Sequence, residues 1–205
     1  MPPAKTTLES RCPWSLSDPL MQEYHDKEWG RPVHDDGIFF EFRILEGAQA
    51  GLSWRTILIR REGYREAFAG FDPVEIARFG PRQVEALMQN AGIIRNRLKI
   101  EGTIKNARAF LALQQELGGF SPYVWSFVGG APMERRPKSG EPLRATSPES
   151  DALSKDLKKR GFTFVGSTIC YAFMQATGLV NDHIRGCPAG DLCSGAAGKA
   201  ARKHR

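Results

Sequence analysis

Between Asp36 and Leu52 the chain carries Ile38, Phe39, Phe40, Phe42, Ile44 and Leu45, a run that is apolar most of the way round a helical wheel. A helix of that kind cannot lie on a surface, because no face of it suits water. The segment therefore predicts a central buried helix with other helices packed around it. It also holds Glu46, one or two turns after Phe39 and Phe42, followed by Gly47, Ala48, Ala50 and Gly51. A carboxylate rarely enters such a setting without a partner or a task. The small residues beside it leave room for something to approach closely. Two readings stand: Glu46 pairs with a buried arginine or caps another helix, or it serves a site.

The rest of the chain reads as nearly all helix. Ser53 can cap a helix carrying Ile57, Leu58, Tyr64 and Phe68 and ending near Gly70. Asp72-Pro73 starts a short helix with Val74, Ile76 and Phe79, and Pro81 starts another with Val84, Leu87 and Met88 on one face. A tight turn at Ala91-Gly92-Ile93-Ile94 leads into a long helix through Ile100, Ile104, Ala107 and Leu111. Ser121-Pro122 begins a short aromatic helix with Tyr123, Trp125 and Phe127. Residues 129–148 form a loop rich in Gly, Pro, Arg and Ser. Ser147-Pro148 announces a helix over 151–160, and an apolar helix is expected over 164–177, ending at Gly178. The Gly/Ala/Lys-rich segment after Gly190 reads as a mobile tail. No β alternation and no internal repeat stand out.

A chain of 205 residues suffices for one sizeable domain or two small lobes sharing a core. The opening Met1-Pro2-Pro3-Ala4-Lys5 has no apolar leader, and no run is long enough to span a bilayer. A cytoplasmic, non-membrane protein is the expectation. The net charge of +6 permits a polyanionic partner. Part of that excess sits in Lys199, Arg202, Lys203, His204 and Arg205, which weakens the argument.

The helix–turn–helix unit 81–111 offers a second feature. Glycine at Gly92 accepts a positive φ cheaply, and the helix after the turn presents backbone N–H groups and a positive dipole end. Arg95, Arg97, Lys99 and Lys105 flank it. The segment Asn90–Arg95 looks like a helix–hairpin–helix clamp on a DNA backbone; an ordinary glycine-terminated helix pair is the plainer alternative. Such a clamp supplies affinity but no sequence or damage specificity.

Four cysteines, Cys12, Cys170, Cys187 and Cys193, are too scattered for a disulfide scaffold. His183 and Cys187 stand four residues apart, and Cys12 and His25 supply a second Cys and His near the other end. Two Cys and two His fit a closed structural zinc site that would join the chain ends without doing chemistry. Otherwise Cys12 is a surface thiol and His25 a plain helix residue; Cys193 is a substitute ligand. Cys170, among Ile169, Tyr171 and Phe173, reads as core. Trp14, Tyr24, Trp29 and Trp54 crowd the first quarter of the chain, where most such residues are core.

Several of these motifs combine. Cys12-Pro13-Trp14, Asp18-Pro19-Leu20 and the run Tyr24–Gly30 resemble the opening of the 3-methyladenine-DNA glycosylase I family. Leu45–Trp54 is similar to that family's central helix, and Asn90–Arg95 to its hairpin. Ser126-Phe127, Ser154–Gly161, Phe164-Val165-Gly166 and Gly178–His183 extend the resemblance from about Arg11 to Cys187. The resemblance implies an all-α helix–hairpin–helix DNA glycosylase fold of two helical lobes over 11–188, with 1–10 and 189–205 as tails. It implies one structural zinc on Cys12, His25, His183 and Cys187. It carries base recognition onto Glu46, Tyr24, Trp54, Trp14 and Trp29, with Glu46 as the catalytic residue, and backbone binding onto Gly92, Ile93, Ile94 and Arg95.

The implied reaction is hydrolysis of the N-glycosidic bond of 3-methyladenine in double-stranded DNA by a monomer, releasing the free base. Met21 stands where some relatives have tyrosine. Many helix–hairpin–helix glycosylases carry an aspartate in a Gly-Pro-Asp context after the hairpin; here Gly118-Gly119-Phe120-Ser121-Pro122 has none. An N3-methylated adenine in DNA is cationic and leaves as a neutral base, so its bond needs no general acid. No lysine occupies a recognisable nucleophile position, so no lyase activity is expected. The alternatives are a glycosylase for N7- or N3-alkylguanine, or a zinc-stapled module that binds alkylated DNA without cutting it.

Overall fold

The structure, a computed structural model, describes residues 11–201. The expected N-terminal tail 1–10 and the last basic residues 202–205 lie outside the described residues. In chain order the described helices are α1 (Pro19–Lys27), α2 (Asp36–Gln49), α3 (Trp54–Ala67), α4 (Pro73–Ala77), α5 (Pro81–Gln89), α6 (Arg97–Leu117), α7 (Phe120–Ser126), α8 (Pro148–Lys159), α9 (Ser167–Ala176) and α10 (Pro188–Ala201). Two-residue strands β1 (Met133–Glu134) and β2 (Val180–Asn181) pair in parallel, a small exception to the all-helical expectation. No helix among the described residues is long and apolar enough to cross a membrane.

Local chemistry places most of these elements. The Asp35 carboxylate accepts from the Ile38 amide at 2.9 Å and starts α2. The Ser53 hydroxyl accepts from Thr56 at 3.2 Å and starts α3, and Asp72 caps α4. Ser147 and Ser150 cap one another at the head of α8. Several helix ends differ from the expectation by a few residues, and two differ more. Helix α6 runs on to Leu117 and stops where Gly118 turns left-handed. Helix α9 starts at Ser167, because Phe164 itself sits at φ 53, which no helix residue can adopt. Helix α1 was expected only so far as His25 could be a helix residue, although Asp18-Pro19 caps it in the ordinary way. The segment expected to be a tail after 189 is also different. It forms α10, opened by Pro188 and rich in alanine, with its own Cys193 buried.

The chain divides into two compact units, and the division falls within α9. One comprises His34–Phe127 and Ala145–Phe173. Its core is aromatic: Phe40 and Phe110 are 4.8 Å apart, Phe110 and Phe120 4.7 Å, and Phe39 and Phe173 5.8 Å between ring centres. Helix α2 is buried at every position from Phe39 to Ala48. Its first residue, Asp36, accepts from the amides of Phe120 and Ser121 at 2.7 Å each, which fixes the head of α7. The other unit comprises the chain to Val33, Val128–Arg144, and the chain from Met174. It contains α1, the strand pair and α10.

Within the first of these units the hairpin turn is held by α3. A Cβ on Gly63 would lie 2.5 Å from the Gly92 carbonyl oxygen, so the backbones meet where only glycine fits. Gly63→Ala is expected to lower stability by about 1–3 kcal/mol through this overpacking. Chemical denaturation checks it; an unchanged midpoint would mean that the turn yields without cost.

Candidate active site and metal cluster

The buried helix α2 carries three charges along its buried stretch. Glu41 is answered from α3: Arg61 donates to its Oε1 at 2.6 Å and Arg65 at 3.0 Å. Glu46, 3% exposed, is not answered in this way. Its Oε2 is buried and has no hydrogen-bond partner among the described residues. Burial pushes its carboxyl from 4.5 up to about 8, against the opposing pull of the Arg43 cation. The buried arginine considered from sequence stands on the same helix, but it acts on Glu46 through its charge alone, with no hydrogen bond or ion pair between them. Trp54, at the head of α3, is half-buried, and the chain between α2 and α3 carries the left-handed Gly51.

The turn between α5 and α6 is organised differently from the reading. Gly92 is not left-handed; its amide donates to the Asn90 side chain at 2.8 Å, and a Cβ there would crowd that oxygen at 3.0 Å. Glycine is required for close approach rather than for positive φ. The Ile94 amide donates to the Tyr64 hydroxyl at 3.2 Å, so two of the amides expected to face a phosphate are used inside the protein. Ile93 is buried and the Arg95 side chain is exposed. Lys99, expected among the flanking DNA contacts, instead donates to the carbonyl oxygens of Ala48 and Ala50 at 2.7 Å each. It closes the C-terminal end of α2, a favourable place for a cation.

In the other unit, Cys12, His25, His183 and Cys187 come together. All four are buried, with one ligand atom from each within 4.8 Å of the others. His183 Nδ1 lies 3.1 Å from His25 Nε2, 3.5 Å from Cys187 Sγ and 3.6 Å from Cys12 Sγ; His25 Nε2 lies 3.5 Å from Cys187 Sγ. The outer ring nitrogens are also engaged. His25 Nδ1 is 2.8 Å from the Asp26 carboxylate, and His183 Nε2 is 3.0 Å from the Trp29 carbonyl. Each imidazole therefore donates outward and turns a lone pair inward. The Ile184 amide donates to Cys12 Sγ at 3.4 Å. Two facing lone pairs and two sulfurs form a donor set that could hold a metal ion.

Trp14, Tyr24 and Trp29 belong to this unit too. Trp14 packs edge-on against Trp29 at 4.9 Å and against His25 at 5.4 Å, and Trp29 packs edge-on against His183 at 4.6 Å. Tyr24 lies 6.3 Å from Trp14. The two indoles wall the Cys/His cluster, a role the sequence reading did not give them. It also missed Asp26 and the Trp29 carbonyl as outer partners; a histidine followed directly by an aspartate was the available signal for the first.

A helical fold with a buried carboxylate and a Cys/His cluster can now be compared with known proteins. The family model for methyladenine glycosylase matches residues 14–190, and the chain belongs to that family. DNA-3-methyladenine glycosylase 1 of Escherichia coli (strain K12) is 53% identical over 177 residues, covering 86% of this chain and 95% of that protein. DNA-3-methyladenine glycosylase of Haemophilus influenzae is 49% identical over 181 residues, covering 88% and 98%. A crystal structure of 3-methyladenine DNA glycosylase I superposes with a TM-score of 0.84 at 55% identity, covering 87% of this chain and 98% of the other. The Staphylococcus aureus enzyme, solved to explain 3-methyladenine recognition, superposes with the same TM-score at 35% identity, covering 88% and 96%.

The burial of Glu46 makes a prediction about stability. Its folded carboxyl holds a proton up to about 8, against 4.5 ordinarily, so its contribution is fully present below 4.5 and is lost as pH rises through about 8. Glu46→Gln has no such group. It should unfold near the wild-type denaturant midpoint at about pH 5 and gain on the order of 2–4 kcal/mol over wild type at about pH 9. An identical difference at both pH values would mean that the carboxyl does not change ionisation across this range.

Proposed function

We infer that this chain is a base-excision repair enzyme that hydrolyses the N-glycosidic bond of 3-methyladenine in alkylated DNA, releasing the base and leaving an abasic site. The observation that carries the reading is Glu46, a buried carboxylate with a free oxygen, in a chain about half identical to two enzymes of that name. The exocyclic amine of adenine supplies a donor for that oxygen, and the positive charge of the methylated ring favours the carboxylate as an anion. Trp54 offers a face on which the base stacks, with a cation–π contribution of about 1–2 kcal/mol once water is excluded. The damaged nucleotide reaches this site by leaving the duplex, which costs least where stacking is already poor.

The scissile bond is weakened by the base's own charge, so the site has only to select and hold the lesion while water attacks the sugar. Lys99 is committed to two carbonyl oxygens, which supports simple hydrolysis over a lysine-borne Schiff base. We assign the exposed turn 90–96 to the DNA backbone in the manner of a helix–hairpin–helix clamp, chiefly through the Arg95 side chain. This assignment is narrower than the sequence reading, because the Gly92 and Ile94 amides are already bonded.

We assign zinc to the Cys/His cluster. Tetrahedral zinc, about 2.3 Å from sulfur and about 2.0–2.1 Å from nitrogen, sets its ligand nitrogens about 3.3 Å apart and nitrogen and sulfur about 3.6 Å apart. The separations of 3.1, 3.5 and 3.6 Å found here fit those edges. When bound, the ion supplies charge and cross-linking and no chemistry, because four protein ligands leave it no open position. The four residues fasten the segment before α1, α1 itself and the chain leading into α10.

Two measurements test this reading. Glu46→Gln should keep the fold and lose at least tenfold in the rate of 3-methyladenine release from methylated DNA; release at the wild-type rate would remove Glu46 from base recognition. In the same assay 3-methyladenine should exceed 7-methylguanine, and the reverse order would move the substrate class to alkylguanine. Elemental analysis should find about one zinc per chain, falling in Cys187→Ser along with thermal stability. Full zinc retention in that variant would rule out Cys187 as a ligand.

A further inference from the structure

Arg43 is an unusual residue to find inside α2. It is fully buried, and its Nε and Nη1 atoms have no hydrogen-bond partner among the described residues. Its Nη2 donates to the Phe164 carbonyl at 3.0 Å, and its guanidinium carbon lies 5.2 Å from the centre of the Phe173 ring. Packing alone does not account for a cation here; an apolar side chain of similar volume would fill the space without two unmet donors. Glu46 follows three residues later, about one turn along the same helix, and brings the unmet acceptor described above. Both charges are expensive by themselves, and each lowers the cost of the other.

We propose that Arg43 is a positioning residue for Glu46: its buried cation, about one turn back along α2 and held by the Phe164 carbonyl, lowers the cost of the Glu46 anion that a cationic base requires. The proposal builds on the assignment of Glu46 to base recognition. Arginine suits this task because its guanidinium stays protonated even when buried. Phe164 fixes where the cation sits, since its carbonyl is presented from a left-handed backbone position.

Other charges packed against α2 are occupied. Arg61 and Arg65 of α3 are on Glu41, and Lys99 of α6 is on the Ala48 and Ala50 carbonyls. Tyr123 of α7, bonded to Asp156, and the buried thiol Cys170 of α9 are both held neutral, their ionisation pushed up by burial. Arg43 is the one charge among the described residues that opposes the effect of burial on Glu46.

The test reads the carboxyl directly. Side-chain carboxyl carbon NMR of the whole protein without DNA, with the Glu46 signal assigned by its loss in Glu46→Gln, gives the titration midpoint. Arg43→Met should raise that midpoint by about one to two pH units. The acid limb of the excision rate should move up with it, so activity falls at least tenfold near neutral pH and recovers in alkali. Arg43→Lys keeps the charge and should stay within about half a unit of wild type, which keeps the test decisive even if Arg43→Met misfolds. A merely structural role would change stability and leave the midpoint where it is. An unmoved midpoint in folded Arg43→Met, or a Lys variant with a midpoint raised by more than one unit, overturns the proposal. If Glu46→Gln excised normally while the midpoint still moved in Arg43→Met, the coupling would stand and the base-recognition reading alone would fall.

Discussion

Helix α2 has no solvent-facing side from Phe39 to Ala48, so each charge it carries has to be answered from inside the protein. The three charges are treated differently. Glu41 receives two guanidinium groups from α3 and is a settled structural ion pair. Arg43 receives one carbonyl and an aromatic ring. Glu46 keeps an oxygen free. One carboxylate is satisfied by two arginines and another, five residues along the same helix, is left incomplete, which is the contrast the proposed role of Glu46 rests on. The hairpin and the elements near it follow from α2 as well. Lys99 ties α6 to its last carbonyls, and Asp36 fixes α7 from its first turn.

The Cys/His cluster solves a different problem in the other unit. That unit is assembled from three separated pieces of chain, and among the described residues its regular structure is α1, α10, a short 3-10 turn before α1, the end of α9 and a two-residue strand pair. Four buried Cys and His side chains drawn from both ends of the sequence meet there, in a unit that also buries apolar residues such as Met21, Leu179 and Ile184. Asp26, the Trp29 carbonyl and the two indoles then orient the imidazoles, so the cluster is built through a second layer of contacts.

The helices were legible where caps and apolar spacing agreed, as with Ser53, Asp72 and Ser147. They were not legible where composition pointed away from order. The Gly/Ala segment that forms α10 has little apolar patterning of its own, and its order comes with the burial of Cys193 and the cluster at its head. The four ligands were named from residue type and resemblance, since spacing cannot report that positions 12 and 187 meet. Glu46 stood out because a carboxylate on an apolar helix violates the burial rule. Arg43 violates it equally, three residues earlier, yet an arginine near a glutamate reads as an ordinary pair until the unmet nitrogen atoms are seen. Gly92 shows a different failure: a positive φ was expected there, but the backbone is not left-handed and the glycine instead makes room for the Asn90 side chain, while the close approach of α3 falls on Gly63.

On the function proposed above, the raised carboxyl of Glu46 would be the physical basis of selection. Burial opposes its ionisation and holds its midpoint at about 8. A ligand that brings both a donor and a positive charge removes that opposition, and the free energy appears as binding. Normal adenine has the same amine but no charge. It can bond to the oxygen, yet it leaves most of the cost of the buried anion in place, and it gives up better stacking to leave the duplex. The discrimination therefore lies in a group that is poorly solvated before the lesion arrives. Filling its free oxygen from within the chain, as Glu41 is filled, would stabilise the fold and remove the preference for a cation. An incompletely satisfied carboxylate fits an enzyme whose substrate carries its own leaving-group activation, because such an enzyme needs selection more than it needs acid catalysis.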